Sequence, residues 1–298
     1  MDQGLLLALV VTLATVATAS SYHNVTKRDI SAHMRGGHKE NVKTAVAIFI
    51  SDHYTCSGTL LSSEMIITAA HCFDYLDIKT DVDKVKIVAG AGNIRTYVQD
   101  DPLSYVERKG ITIHIHPGYS HLHGKKITWD LGIVKVNPIN DNNIKIEFAQ
   151  LPAPGLTKVG ASVKVGGWGK TWINKIEYRV SQHHLVIDVN INSEKDCKDS
   201  YKTGQYDSKQ MVCIGTHSNT TCHGDSGGGG ILQEDNKPVI VGVVSFGATD
   251  CKKPSVLQRI DSSLSWIQGI TKIGGSTTSS DGEQLQILLH PDISSIMY

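Results

Sequence analysis

Apolar residues in this chain fall into short runs separated by clusters of Gly, Pro, Asn, Asp and Ser. A first set spans Ala45–Ile50, Met65–Thr68, Val85–Ala89, Ile111–His114 and Leu131–Val136. A second set spans Val163–Val165, His184–Asn190, Gln210–Ile214, Val239–Phe246 and Val256–Ile260. Short β-rich runs bounded by turn residues predict strands. Many of them in succession predict a sandwich or a pair of barrels, not alternating strand–helix units. Between the two sets, "NPINDNNIKIEFAQLPAPG" has loop chemistry and reads as a connector. Near the end, "DSSLSWIQGIT" offers an Asp/Ser cap with Leu264, Ile267 and Ile270 at roughly helical spacing. It is the one helix the pattern supports.

The two ends differ from this middle. An apolar stretch from Leu5 to Val16 precedes Ala17-Thr18-Ala19, a small-residue cleavage pattern. A membrane span needs about 20 apolar residues, and this run is shorter. Residues 1–19 therefore read as a secretory signal peptide, although Asp2 stands where a positive charge is usual. The alternative is an uncut signal anchor. The tail 272–298 begins as a Gly/Ser/Thr linker, and disorder is expected there.

Composition adds bounds. A chain of 298 residues with 40% hydrophobic content is long enough for one large all-β domain or two modest ones. Net charge is zero, so nothing favours nucleic acid or a membrane as partner. In a secreted protein the six cysteines are candidates for three disulfides, which sequence alone pairs in about 15 ways. Metal-type Cys-x-x-Cys spacing is absent. Asn24 and Asn219 open glycosylation sequons.

The candidate chemistry sits in three stretches: "TAAHCF" with His71, "TWDLGIVKV" with Asp130 and "CHGDSGGGG" with Ser226. Taken singly, they read as a histidine at a strand end, an acid capping a strand and a serine in a turn. A serine hydroxyl is a weak nucleophile, so it needs a neighbouring base, and the base needs an orienting acid. One Ser, one His and one Asp on short loops of a β-scaffold could supply all three. The glycines around Ser226 suit backbone N–H groups closing on a negative charge.

In the order His, Asp, Ser, in the surrounding residues and in spacing, residues 34 to 271 resemble the chymotrypsin-like (trypsin-fold) serine proteases. The resemblance implies two six-stranded antiparallel Greek-key β-barrels, with the active site in the cleft between them and a C-terminal α-helix. Barrel one would cover about 38–145, barrel two about 150–260 and the helix 261–271. It implies Ser226 as nucleophile, His71 as general base and acid, and Asp130 as the group orienting His71. The N–H groups of Gly224 and Ser226 would form the oxyanion hole. Disulfides would join Cys56 to Cys72, Cys197 to Cys213 and Cys222 to Cys251, each worth about 3 kcal/mol in a chain-entropy account. In "VVSFGATDC", Ser245 would bond near Asp130, and Gly247 would pair with substrate backbone. Thr220 would floor the specificity pocket and Ser255 line its far wall. The stretch "HIHPGYSHLH" invites a zinc reading, since His114 and His116 share a strand face. Because the family often carries Ile-His-Pro there without metal, no metal and no cofactor are expected.

One departure concerns activation. The family is activated by a cut before Ile-Val-Gly-Gly, whose freed amine pairs with the acid before the nucleophile, here Asp225. This chain has His33-Met34-Arg35-Gly36-Gly37. The glycine register makes 20–33 a propeptide and Met34 the new N-terminus, with cleavage after Lys27-Arg28 as runner-up. A poorly activated homologue serving as a binding or regulatory protein is the competing reading. The expected product is a secreted, extracellular, monomeric serine endopeptidase acting on peptides or proteins and open to protein inhibitors. Thr220 in place of an acid implies chymotrypsin-like cleavage after large apolar or aromatic residues, with an elastase-like preference as alternative. The histidine midpoint is expected near its reference value of about 6.5.

Overall fold

The computed structural model describes residues 34, 36–94, 105–121, 126–140, 142–173, 177–201 and 204–274. The expected signal peptide, the propeptide, both ends of the sequon at Asn24 and all but the first residues of the tail lie outside them.

Six strands form the first half: β1 (Ala45–Ile50), β2 (His53–Leu60), β3 (Met65–Thr68), β4 (Val85–Ala89), β5 (Val106–Ile115) and β6 (Gly132–Val136). They close into a barrel in the order β1-β2-β3-β6-β5-β4, every neighbour antiparallel. Strand β1 shows why its run is nearly continuous in apolar residues. Val46 and Ile48 point into the barrel core with Leu60, Ile66, Ile87 and Ile133. Ala47 and Phe49, on the opposite face by the period of two, pack with Val88, Ile94 and Trp168. Both faces are buried, so alternation of apolar and polar disappears. Ser51 and Asp52, with φ of 50° and 64°, turn β1 into β2 as a two-residue hairpin loop.

The second half repeats the plan with β7 (Ser162–Gly167), β8 (Leu185–Asn190), β9 (Met211–Ile214), β10 (Gly229–Glu234), β11 (Lys237–Phe246) and β12 (Ser255–Arg259). Their order is β8-β7-β10-β11-β12-β9, which read as a ring is the same cyclic order as the first half. The ring is joined only by a bridge between Ile191 and Ile214, just past β8 and at the end of β9, so this half is a curled sheet instead of a fully laddered barrel. The pair His38–Lys39, assigned by sequence to barrel one, adds to the outer edge of β8 as a seventh strand.

The connector carries no strand, and its Ile139, Ile144, Ala149 and Leu151 plug the first barrel's core. Among the described residues there are two α-helices, α1 (Glu194–Ser200) and α2 (Leu264–Thr271), and two small two-stranded sheets, Ser120–His121 with Ile127–Thr128 and Lys170–Ile173 with Glu177–Val180. Helix α2 was expected from its spacing, and Ile267 is fully buried in the first barrel's core cluster. Helix α2, which follows the last strand of the second half, thus packs back on the first half. The three disulfides are Cys56–Cys72, Cys197–Cys213 and Cys222–Cys251.

Candidate active site

Strand β3 ends at Thr68, and the chain turns through a single 3-10 turn, Ala70–Phe73, that carries His71. The Cys56–Cys72 bond ties this turn to β2. Asp130 stands at the entrance to β6, fully buried. Its Oδ2 accepts from His71 Nδ1 at 2.8 Å and from the Ser245 hydroxyl at 2.5 Å, and its Oδ1 accepts from the His71 backbone N–H at 2.9 Å. Three donors on two oxygens are what a buried carboxylate needs in order to stay ionised. Burial alone pushes Asp130 up, but the His71 charge and these bonds hold it below the ordinary carboxylate value. Burial likewise pushes His71 down, yet the Asp130 carboxylate, with a smaller contribution from Asp74, holds it above the ordinary histidine value.

Ser226 lies in the tight loop before β10. Its carbonyl, not its hydroxyl, takes the structural bond, accepting from Ser57 N–H at 2.8 Å. Gly227 follows with φ of 80°, and a Cβ there would stand 2.1 Å from Thr68 Oγ1 and 2.2 Å from Ser57 O. Only glycine fits. Gly224 also has positive φ, 91°, and its carbonyl accepts from the Tyr54 hydroxyl at 2.6 Å. Asp225 turns inward, where its carboxylate accepts from Gly169 N–H at 2.9 Å and Cys222 N–H at 2.8 Å. Burial pushes it up to about 6 against those two bonds. Among the described residues, the N–H groups of Gly224 and Ser226 have no protein acceptor.

His71 and Ser226 face one cavity of about 380 Å³ between the two halves. His121 and Ile127 continue its wall on the first-half side. Opposite them stand Thr221, Cys222, His223 and the stretch Val244–Ala248. Gly247 is exposed, with open space where a side chain would be. Thr220 and Ser255 are fully buried and do not line this cavity, whereas Thr221, bonded to Ser255, does. Their protons can be counted. Thr220 Oγ1 donates to Lys253 O at 2.7 Å, so Ser255 Oγ must donate to Thr220 at 2.6 Å. Ser255 then accepts from Thr221 N–H and Thr221 Oγ1 at 3.0 and 2.7 Å. Every hydroxyl here is satisfied by protein.

Met34 is buried in the second half's core with Val163, Val165 and Leu185, while the bonds to Asp225 come from backbone. The described histidines of "HIHPGYSHLH" go separate ways, and His123 lies outside the described residues. His114 bonds Thr112, His116 stacks on Trp129 at 5.0 Å, and His121 bonds Asp74 at 2.6 Å. Sequence reasoning missed Tyr54, whose signal is an aromatic two residues before Cys56 on strand β2. It also missed the Asp74–His121 pair, which places a second imidazole 6.5 Å from the His71 ring.

The sequence model of the family described as Trypsin matches residues 34–267. The chain belongs to the trypsin family. Its relatives include a chymotrypsin from Phaedon cochleariae, 31% identical over 72% of this chain and 71% of that protein. A brachyurin from Leptuca pugilator is 30% identical over 76% of this chain and 92% of the relative. Serine protease 28 of Mus musculus is 28% identical over 72% and 77%. Like them, this trypsin-family chain is a serine-type endopeptidase, and its substrates are peptides or proteins. Among the described residues no helix is long and apolar enough to cross a membrane.

Proposed function

We propose that His71, Asp130 and Ser226 form the catalytic triad of a secreted endopeptidase that works through an acyl-enzyme. The observation that carries this reading is the His71–Asp130–Ser245 hydrogen-bonded chain opening on the cavity that Ser226 also lines. Asp130 fixes the Nδ1–H tautomer of His71, which leaves Nε2 to take the Ser226 proton as Oγ attacks the scissile carbonyl. The oxyanion then sits against the N–H groups of Gly224 and Ser226, one such donor being worth roughly 3 kcal/mol in the transition state. His71 returns the proton to the leaving amine, the acyl-enzyme forms, and water repeats the cycle. The raised histidine puts the acid limb of activity above the ordinary value of about 6.5, since the protonated form is inactive.

Specificity follows from charge. Among the described residues that line the cavity there is no carboxylate, and the Thr220 and Ser255 hydroxyls next to Thr221 are already paired. A substrate Arg or Lys would be desolvated there without a partner, at a cost of several kcal/mol. An apolar or aromatic side chain instead gains roughly 1.5–3 kcal/mol by burial against Val244, Phe246 and the Cys222 region. Cleavage after Phe, Tyr, Leu or Met is therefore the proposed preference, and the chymotrypsin among the relatives agrees with it. Matched peptide amides ending in Phe or Arg test it: kcat/KM should favour Phe by at least about tenfold, the equivalent of 1.4 kcal/mol. A higher value for Arg contradicts the charge argument.

For activation, the mature chain is proposed to begin at Met34, its freed ammonium neutralising the buried Asp225. N-terminal sequencing of the active species decides this, and a start at Tyr22 or earlier rules it out. Extracellular location and a monomeric state complete the proposal, with protein inhibitors as further partners.

A further inference from the structure

Asp130 sits at the centre of a three-residue turn in which Leu131 N–H donates to Trp129 O at 2.7 Å. Trp129 enters that turn with φ of 47°, in the left-handed region that bulky residues rarely adopt. Such a conformation persists only when its surroundings hold it. Two glutamines from the other half of the molecule do so. Gln210, just before β9, accepts from Trp129 N–H through Oε1 at 2.8 Å. Gln258, on β12, accepts from Asp130 N–H through Oε1 at 3.1 Å. Gln258 is fully buried and Gln210 is 5% exposed.

The amide orientations are fixed by the partners. Both turn groups are donors, so each side chain must present its oxygen to them. Each Nε2 then finds an acceptor: Gln258 donates to Gln210 O at 2.6 Å, and Gln210 donates to Asp207 Oδ2 at 3.0 Å. Asp207 also holds Lys126 at 2.7 Å, four residues before Asp130. A flipped amide would set NH2 against N–H. The oxygen and the nitrogen of each amide thus both have a partner.

We propose that Gln258 and Gln210 are positioning residues that aim the Asp130 carboxylate at His71 by clamping the backbone of its turn from the opposite half. The inference rests on the triad reading above. It explains why two buried amides are spent on consecutive N–H groups, when one turn of this kind could otherwise relax and carry Oδ2 away from Nδ1. It also makes the acid's alignment a property of the interface between the halves.

The test compares Gln258→Met, near in shape but unable to bond, with Gln210→Met and Asp130→Asn. In Gln258→Met, kcat should fall about 10- to 100-fold with KM within about twofold, since a displacement near 1 Å can cost that much. The midpoint of the acid limb should also move to lower pH, because a misaligned Asp130 no longer raises His71 as far. The groups facing His71 are Asp130, Asp74 and His121, together with Tyr119, which bonds Asp74. Neither glutamine substitution alters any of them. A merely structural role would leave the midpoint in place. Added to Asp130→Asn, Gln258→Met should lower kcat by less than about twofold, because both act through one carboxylate.

Unchanged kcat and midpoint in a folded Gln258→Met overturn the clamp while leaving the triad standing. Should Gln258→Met fail to fold, Gln210→Met, which removes one bond of the pair, carries the test with the same expected shift. Failure of both to fold assigns the glutamines to stability and overturns the proposal. Wild-type kcat in Asp130→Asn sinks the triad reading itself.

Discussion

Ser226→Ala lowers kcat for peptide hydrolysis by roughly six orders of magnitude, because members of a triad act as a unit. Removing Oγ takes away the proposed attacking atom, while the loop itself should not notice. Ser57 N–H bonds the Ser226 carbonyl, Gly227 N–H bonds Val244 O at 2.8 Å, and Gly228 N–H bonds Asp225 O at 3.0 Å. All three are backbone contacts. Stability should therefore stay within about 0.5 kcal/mol of wild type, as for substitutions that disturb no buried partner. Steady-state kinetics and thermal unfolding on the same sample separate the two effects. Residual activity within a hundredfold of wild type would remove Ser226 from the mechanism.

Asp130→Asn should cost about 10⁴-fold in kcat, with the fold retained. The reason is a donor count. Oδ2 accepts from both His71 Nδ1 and Ser245 Oγ, and Oδ1 accepts from His71 N–H. An asparagine has one acceptor atom, and the His71 backbone N–H cannot change its role, so the amide keeps its oxygen there. Its NH2 then faces Nδ1, which must become an acceptor, and the ring proton moves to Nε2. In that tautomer Nε2 cannot take the Ser226 proton. The pH dependence carries a sign as well. His71 is raised in the wild type by the Asp130 charge, and activity requires its neutral form. Losing the charge leaves burial, the largest influence, which lowers it against the smaller raising effect of Asp74. The acid limb of the residual activity should thus move to lower pH in Asp130→Asn.

These sites were legible to different degrees in the chain. Strands β1, β3 and β4 have the limits the pattern predicts, because each is a β-branched run between turn residues. Strand β2 was not predicted, since "HYTCSGTL" spends its positions on the site: Tyr54 on Gly224, Ser57 on Ser226 and Cys56 on the His71 turn. Strand β10 begins at the glycines that follow the nucleophile, which lack the side chains that signal a strand. Helix α1 buries only Cys197, so it shows no apolar stripe, and its start is marked by the Ser193 hydroxyl accepting from Asp196 N–H at 3.2 Å.

The stretches that carry His71, Asp130 and Ser226 were readable because they stand in recognisable surroundings. The cavity wall was less so: Thr221 lines it, while its neighbour Thr220 is buried and does not. The glutamines gave no signal, because a buried amide has no period and no motif. Its meaning comes only from the two N–H groups it meets.

Covalent labelling of the activated protein tests the central claim most directly. A fluorophosphonate reacts with a serine only where a base removes its proton and an oxyanion hole receives the phosphonyl oxygen. Peptide mapping by mass spectrometry should find one adduct, on Ser226, absent from His71→Ala and from Ser226→Ala. A protein that hydrolyses peptides yet carries no adduct, or carries it on another residue, would contradict the account.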